Sequence, residues 1–273
     1  MKILKRTLLA LAIGFLLLVA GMTLWGRLGQ GTLVPDPAAV QDPDANRVVM
    51  VFGATGSVGD GLLKAAMEAP EVEKVHVVTR RSSPRIDAGV AAGRVRMHVQ
   101  QDFTDYAGLA AVLGEVSTVL WGLGTSSLNV DDDAYTRIHV DFPVAFVSAW
   151  LAAGPQGPLA FHYVTGMGTD PEGSAHWARE KGRAERELAA LAENSALRTF
   201  SYRSAFIRPT SEQANVLHYL LELLLRPGRL VITATELGQA MLVISARTGE
   251  LANGTLIDNA DSLAYAKRYG RGR

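Results

Sequence analysis

In "GATGSVG" the groups placed to do chemistry belong to the backbone. Gly53, Gly56 and Gly59 follow the apolar run Val48–Phe52, and after them Val58, Leu62, Ala65, Ala66 and Ala69 recur at helical spacing. Strand, tight glycine turn and helix start together let N–H groups approach a pyrophosphate at the positive end of a helix dipole. Further on, the β-type run Lys74–Thr79 ends in Arg80, Arg81 and Ser82, with Arg85 close behind. An NAD-preferring site usually offers a carboxylate here for the ribose 2′-hydroxyl; guanidinium groups instead suit a 2′-phosphate. The reading favours NADP(H) over NAD(H). A solvated basic loop is the alternative, and it accounts for Arg85 easily. A third cluster is "AHWAREK", where Trp177 precedes Lys181 by four residues, so the two share one helix face.

Other chemistries find no support. The chain has no cysteine, which removes disulfides, thiolate catalysis and sulfur-ligated metals. Its six histidines show no HxxH or HExxH spacing, so no metal is expected. Lys and Arg total 27 against 27 Asp and Glu, a balance that gives no field for nucleic acid. The expected partners are a dinucleotide and a small molecule, with the oligomeric state left open.

The elements that must position these residues alternate. Val95–Val99 reads as a third strand, followed by Asp102 and a helix from about Asp105. Ser117–Trp121 is a fourth, running into Gly122, Leu123, Gly124 and Thr125. A helix from about Asp131 to Ala153 contains Pro143, so a kink or break is expected there. "LAFHYVTGMGT" is a fifth strand ending near Thr165; the Lys181 helix and the strand "LRTFSYR" follow. Strands alternating with helices predict an α/β fold with a doubly wound parallel sheet. Such sheets bind ligands at the carboxyl ends of their strands, where all the candidate residues fall.

With these pieces in place the chain resembles the short-chain dehydrogenase/reductase superfamily, a group of NAD(P)-binding Rossmann proteins, and within it the atypical branch. The resemblance runs from about Arg47 to Arg247. It rests on GATGSVG, Asp102-Phe103, the Gly-Leu-Gly turn, "VTGMGT", the Lys-bearing helix, "YRSAFIRPT" and "TATELGQAML". It is most like the small oxidoreductase-like proteins whose sixth strand runs into a similar Arg-Pro segment. The resemblance implies that Gly53, Gly56 and Gly59 cradle the pyrophosphate, helped by the amides of Thr55, Ser57 and Val58. Asp102 and Phe103 would flank the adenine, Gly122, Leu123 and Gly124 would lie along the cofactor, and Lys181 would contact the nicotinamide ribose. Active members carry a Ser at the end of strand five and a Tyr four residues before the Lys. Here those positions hold Thr165 (or Gly166) and Trp177. A Thr hydroxyl still donates a hydrogen bond, but an indole N–H has no useful titration near neutral pH. His176 titrates in the right range, although it lies about 100° around the helix from Trp177. Tyr163 is a further candidate, more naturally a packing residue. The resemblance therefore implies an oxidoreductase acting on a small or lipophilic carbonyl or alcohol, with a non-catalytic NADP(H)-binding sensor or scaffold at a membrane as the alternative.

Outside this core, residues 1–26 read as a separate piece. Lys2, Lys5 and Arg6 precede a run without charge, Thr7–Trp25, whose 19 residues reach roughly 28 Å as a helix. An uncleaved transmembrane anchor is favoured over a cleaved signal segment. The charge rule puts the domain on the outer side of the membrane, whereas cofactor supply favours the cytoplasmic side. Residues 27–46, with scattered Gly and Pro, read as a flexible linker. Residues 47–273 form the dinucleotide-binding domain, with a small C-terminal substrate-side lobe near 204–235. In that lobe "VLHYLLELLL", Val216–Leu225, is either a helix packed on the sheet or a surface resting on a membrane or lining an apolar access route. Thr233 or Thr235 with Glu236 opens another helix.

Overall fold

The computed structural model describes residues 2–28 and 31–270, and within the first helix the side chains of residues 6–7, 13–26 and 28. That helix, α1, runs Lys2–Leu28. The domain then begins with β1 (Val48–Phe52), α2 (Ser57–Glu68), β2 (Lys74–Thr79), α3 (Pro84–Ala91) and β3 (Val95–Val99). A short α4 (Ala110–Leu113) leads to β4 (Thr118–Trp121), α5 (Asp132–Thr136), α6 (Phe142–Ala152) and β5 (Leu159–Val164). The chain continues through α7 (His176–Ala192), β6 (Leu197–Arg203), β7 (Phe206–Arg208), α8 (Val216–Leu225) and β8 (Val231–Thr233). It closes with α9 (Ala234–Ala246), β9 (Thr255–Asp258) and α10 (Asn259–Ala266).

Seven strands pair in the order β3-β2-β1-β4-β5-β6-β9, every pair parallel, while β7 and β8 form a separate two-stranded sheet. The order reverses between β1 and β4, which puts the crevice for a ligand at the carboxyl ends of those two strands. Alternation along β1 feeds two cores. Val49 and Val51 join Leu62, Leu237 and Met241 on one face, while Met50 and Phe52 join Trp121, Phe146 and Trp150 on the other. The rings of Phe52 and Trp121 stack at 4.3 Å and Phe146 meets Phe52 edge-on at 4.7 Å, directly beneath the crevice. The doubly wound parallel sheet is thus as the alternation of elements predicted; β9, with four residues, was not anticipated.

Two expectations need correcting. Among the described residues no helix is long and apolar enough to cross a membrane. The transmembrane anchor is therefore not supported; residues 8–12, on which the expectation also rested, lie outside the described side chains. The linker is irregular in backbone but bound to the domain. Leu33 N donates to Asp261 Oδ1 at 2.9 Å, Asp42 N to the Ala246 carbonyl at 2.7 Å, and Asn46 Nδ2 to the Leu242 carbonyl at 2.8 Å. The break expected in the helix through Pro143 is present just before the proline, where residues 137–141 form a π turn between α5 and α6. Pro143 lacks the N–H that an α-helix would direct at the carbonyl of residue 139. The buried Tyr163 hydroxyl replaces that donor, reaching the His139 carbonyl at 2.7 Å.

Candidate functional site

The crevice begins at the β1–α2 turn. Gly53 has φ +74°, and a Cβ there would lie 2.6 Å from the Gly122 carbonyl; at Gly59 a Cβ would meet the Gly53 oxygen at 2.1 Å. Only glycine permits this approach of turn, helix and neighbouring strand. Gly56 caps α2 without a side-chain hydrogen bond, so the first-turn N–H groups are left for another acceptor. Asp60, in that same turn, would repel an anion if free. It is buried, held by Arg85 at 2.8 and 3.0 Å and by the Thr210 hydroxyl at 2.6 Å. Arg85 is therefore committed to Asp60 rather than to solvent or a ligand.

Three adjoining recesses continue from the turn. One of about 250 Å³ is lined by Gly53, Thr55, Arg80, Arg81 and Phe103. A second, of about 710 Å³, adds Asp102, Arg137 and Phe142. A third, of about 470 Å³, runs from Gly56, Ser57 and Val58 to Lys181. Gly122, Leu123 and Gly124 border the first and third, so the recesses form one continuous cleft along the strand ends. Arg80 and Arg81 are exposed at its mouth. The exposed Asp102 accepts from Thr104 N and Oγ1 at 2.9 and 2.6 Å, which lowers its carboxyl below the usual range. Phe103 is buried and stacks on Phe142 at 5.5 Å. The glycine cradle, the uncapped helix start and the guanidinium pair fit a dinucleotide phosphate backbone.

At the far end Lys181 projects from α7, and its Nζ donates to the Thr165 carbonyl. Burial brings its pKa down to about 8, against the opposing pull of Glu185. Thr165 presents its carbonyl rather than its hydroxyl. The hydroxyl is turned inward, donating toward Glu185 Oε1 at 2.9 Å and the Tyr202 carbonyl at 3.2 Å. Glu185 also receives Arg203 at 2.6 and 3.2 Å, so a buried carboxylate fastens the end of β5 to α7 and β6. The expected substrate contact from the Thr165 hydroxyl is therefore not what this geometry offers.

Neither expected proton donor faces the cleft. His176 turns toward α5, within 3.2 Å of the Asp132 carbonyl and 3.3 Å of the Thr136 hydroxyl, and does not line the recess that holds Lys181. It stands at the first position of α7, so its ring leaves on the α5 side of the helix. The Tyr163 hydroxyl is spent on His139, and burial raises its pKa well above the ordinary value. Trp177 packs its indole on Gly168, where a Cβ would meet the ring at 3.3 Å; it borders the loop after β5 and no lining position of the cleft. No tyrosine lines the recess around Lys181.

Two groups in this wall escaped the sequence reading. His139 packs its ring edge on Gly124, where a Cβ would lie 2.8 Å from the ring, and its Nε2 meets the Thr125 carbonyl and N–H at 3.0 and 3.2 Å. Burial, with Lys181 nearby, lowers its pKa to about 4, so it is neutral. Ser204, just beyond β6, lines the same recess with its hydroxyl unpaired. Neither stands in a recognisable spacing; only the fold brings them to Lys181.

Comparison with known proteins agrees with this architecture. No family model matches the chain. It is 24% identical over 143 residues to a leucinostatins biosynthesis cluster protein T of Purpureocillium lilacinum and 27% identical over 143 residues to protein FMP52, mitochondrial, of Saccharomyces cerevisiae. Each match takes in 52% of this chain and 51% or 59% of the relative, so the chain spans little more than half the length of the curated relatives it matches. An oxidoreductase of the short-chain dehydrogenase/reductase family from Burkholderia thailandensis superposes with a TM-score of 0.59 at 19% identity, covering 80% of this chain and 92% of that one. A 3-oxoacyl-[acyl-carrier protein] reductase from Brucella melitensis, in complex with NAD, superposes with a TM-score of 0.59 at 15% identity, covering 80% and 97%. The chain has a Rossmann fold of the short-chain dehydrogenase/reductase type.

Proposed function

We propose that the protein is an NADP(H)-dependent oxidoreductase acting on a small or lipophilic carbonyl or alcohol. The observation that carries this reading is the continuous cleft from Arg80 and Arg81, past the Gly53–Gly59 turn, to the half-buried Lys181. In this reading the amides of Thr55, Ser57 and Val58 hold the pyrophosphate between Gly53, Gly56 and Gly59. Arg80 and Arg81 take the 2′-phosphate, Asp102 and Phe103 flank the adenine, and Gly122, Leu123 and Gly124 line the middle. The bound nicotinamide supplies hydride transfer.

The chain's own task is then to move a proton without the usual tyrosine. Lys181 is suited to it. With a pKa of about 8 it is a cation at neutral pH, yet gives up its proton more readily than an exposed lysine. One N–H is held by the Thr165 carbonyl, which aims the ammonium group and leaves its other donors for a substrate oxygen. The Ser204 hydroxyl is a second donor for that oxygen. Neutral His139 places no competing cation in the wall.

A second reading, a non-catalytic NADP(H)-binding sensor or assembly protein, is favoured by the inward-turned Thr165 hydroxyl and the indole at position 177. The test is NADPH oxidation with a panel of carbonyl compounds, comparing the wild type with Lys181→Ala. Turnover that depends on Lys181 supports the enzyme; NADPH binding without turnover across the panel leaves the sensor. We also place the protein at a membrane surface, held through α1 on the side that supplies the dinucleotide. Supporting this, Phe15, Leu16, Leu17, Leu18, Leu24 and Trp25 are exposed along α1. Sedimentation with phospholipid vesicles tests it.

A further inference from the structure

Helix α8 is inside out for a helix on a water-facing surface, which turns its apolar stripe inward. It has no buried residue. Its polar groups face the protein: Glu222 pairs with Arg208 at 2.6 Å, Arg208 lies over the Tyr219 ring at 5.1 Å, and His218 stacks on Phe206 at 6.4 Å. Its apolar groups face out, with Val216, Leu217, Leu220, Leu223 and Leu224 at 75%, 61%, 58%, 72% and 40% exposure. The helix is nonetheless well made, closed at its start by a reciprocal capping box between Asn215 and His218.

Two features say what covers this face. The turn after α8 is the docking point of α1. A Cβ on Gly26 would lie 2.4 Å from the Gly228 oxygen, and Arg229 donates to the Gly26 carbonyl at 3.5 Å. The C-terminal ends of α1 and α8, each with exposed apolar side chains, thus meet at this turn. The flank, moreover, is cationic. Arg226 and Arg229 stand at the end of α8, and its one acid, Glu222, is engaged by Arg208 and Arg226. An apolar face rimmed by Arg matches acyl chains beneath anionic headgroups. On the inner side of α8, Phe206 and Ile207 line the recess that ends at Lys181.

We infer that α8 lies in the interface of an anionic phospholipid bilayer beside α1, holding the rim of the Lys181 recess at the lipid surface. This rests on the membrane attachment through α1 proposed above, and the test separates the two. The chain has no cysteine, so Leu220→Cys, Phe15→Cys and Val90→Cys each give the full chain one labelling site. Position 90 is exposed near the C-terminal end of α3, beside the edge strand β3. Each variant, with its fold checked by circular dichroism, carries an environment-sensitive nitrobenzoxadiazole dye. It is then mixed with phosphatidylcholine–phosphatidylglycerol vesicles containing doxyl-labelled lipid. An interfacial helix sits about 5–10 Å into the headgroup–acyl boundary, so the dyes at 220 and 15 lose roughly half their emission and the dye at 90 keeps its own. Quenching at 15 without quenching at 220 overturns the inference and leaves attachment through α1 standing. Quenching at neither overturns both. A blue shift at 220 that grows with protein concentration and needs no vesicles shows a second copy on α8 and overturns it too.

Discussion

At the Gly53–Gly59 end of the cleft the working groups are backbone amides, and the contacts at Gly53 and Gly59 leave no room for a single methyl group. At the Lys181 end they are side chains, and each has been given a different neighbour. Thr165 has turned its hydroxyl into Glu185, Tyr163 serves the His139 carbonyl, and position 177 carries an indole. A site made of backbone is all or nothing, because displacing the turn displaces β1, α2 and β4 together. A site made of side chains can lose or exchange one group while the scaffold stands. The difference separates binding, which depends on the first end, from proton transfer, which depends on the second.

The largest effect is expected where backbone geometry is forced. Gly59→Val drives a side chain into the Gly53 carbonyl, and NADPH binding followed by nucleotide fluorescence is expected to be lost outright. Retained affinity would mean that the turn is not the phosphate site. Lys181→Met is expected to lower turnover by about 100-fold, the scale of a positioned acid or base, while NADPH affinity changes far less. An equal loss in both would merge the two ends. Replacing Arg80 and Arg81 together with Ala removes charge-assisted bonds worth about 1.5–3 kcal/mol, a loss of roughly 10- to 100-fold in NADPH affinity. NADH affinity should be unchanged, and isothermal titration with both nucleotides reads the contrast. Trp177→Tyr returns a titratable group to the helix face of Lys181, and steady-state assays should register turnover up to about tenfold higher. No gain would show that the phenol stays on Gly168, as the indole does. The smallest effect is in the pH profile. Reduction needs Lys181 protonated, so its rate falls as pH rises through about 8, halving there. A profile flat to pH 10 would remove Lys181 as the acid.

What could be read in advance follows the same division. The glycine turn, the alternation that implies a parallel sheet, the capping residues Thr233 and Glu236, and the helix that carries Lys181 are local patterns, and local patterns survive in a linear text. His139 and Ser204 are not local. One reaches the cleft because Gly124 lets its ring approach, the other because β6 ends beside β5. The orientation of the Thr165 hydroxyl depends on Glu185 and Arg203, 20 and 38 residues further on in the numbering. The inverted face of α8 was legible as apolar composition, but only the ion pair between Arg208 and Glu222 shows which way the helix is turned.

The π turn before Pro143 has a further consequence. A π turn is one residue longer than the α-helical turn it replaces, so it works as a phase shifter. Upstream of it Ala134, and within it Ile138, look into the crevice; downstream, Phe146 and Trp150 look into the aromatic core. Removing one residue between 137 and 141 would rotate the two halves against each other by about 100°. That single deletion would uncouple the floor of the crevice from the core that supports it, without changing the chemical character of any side chain in either.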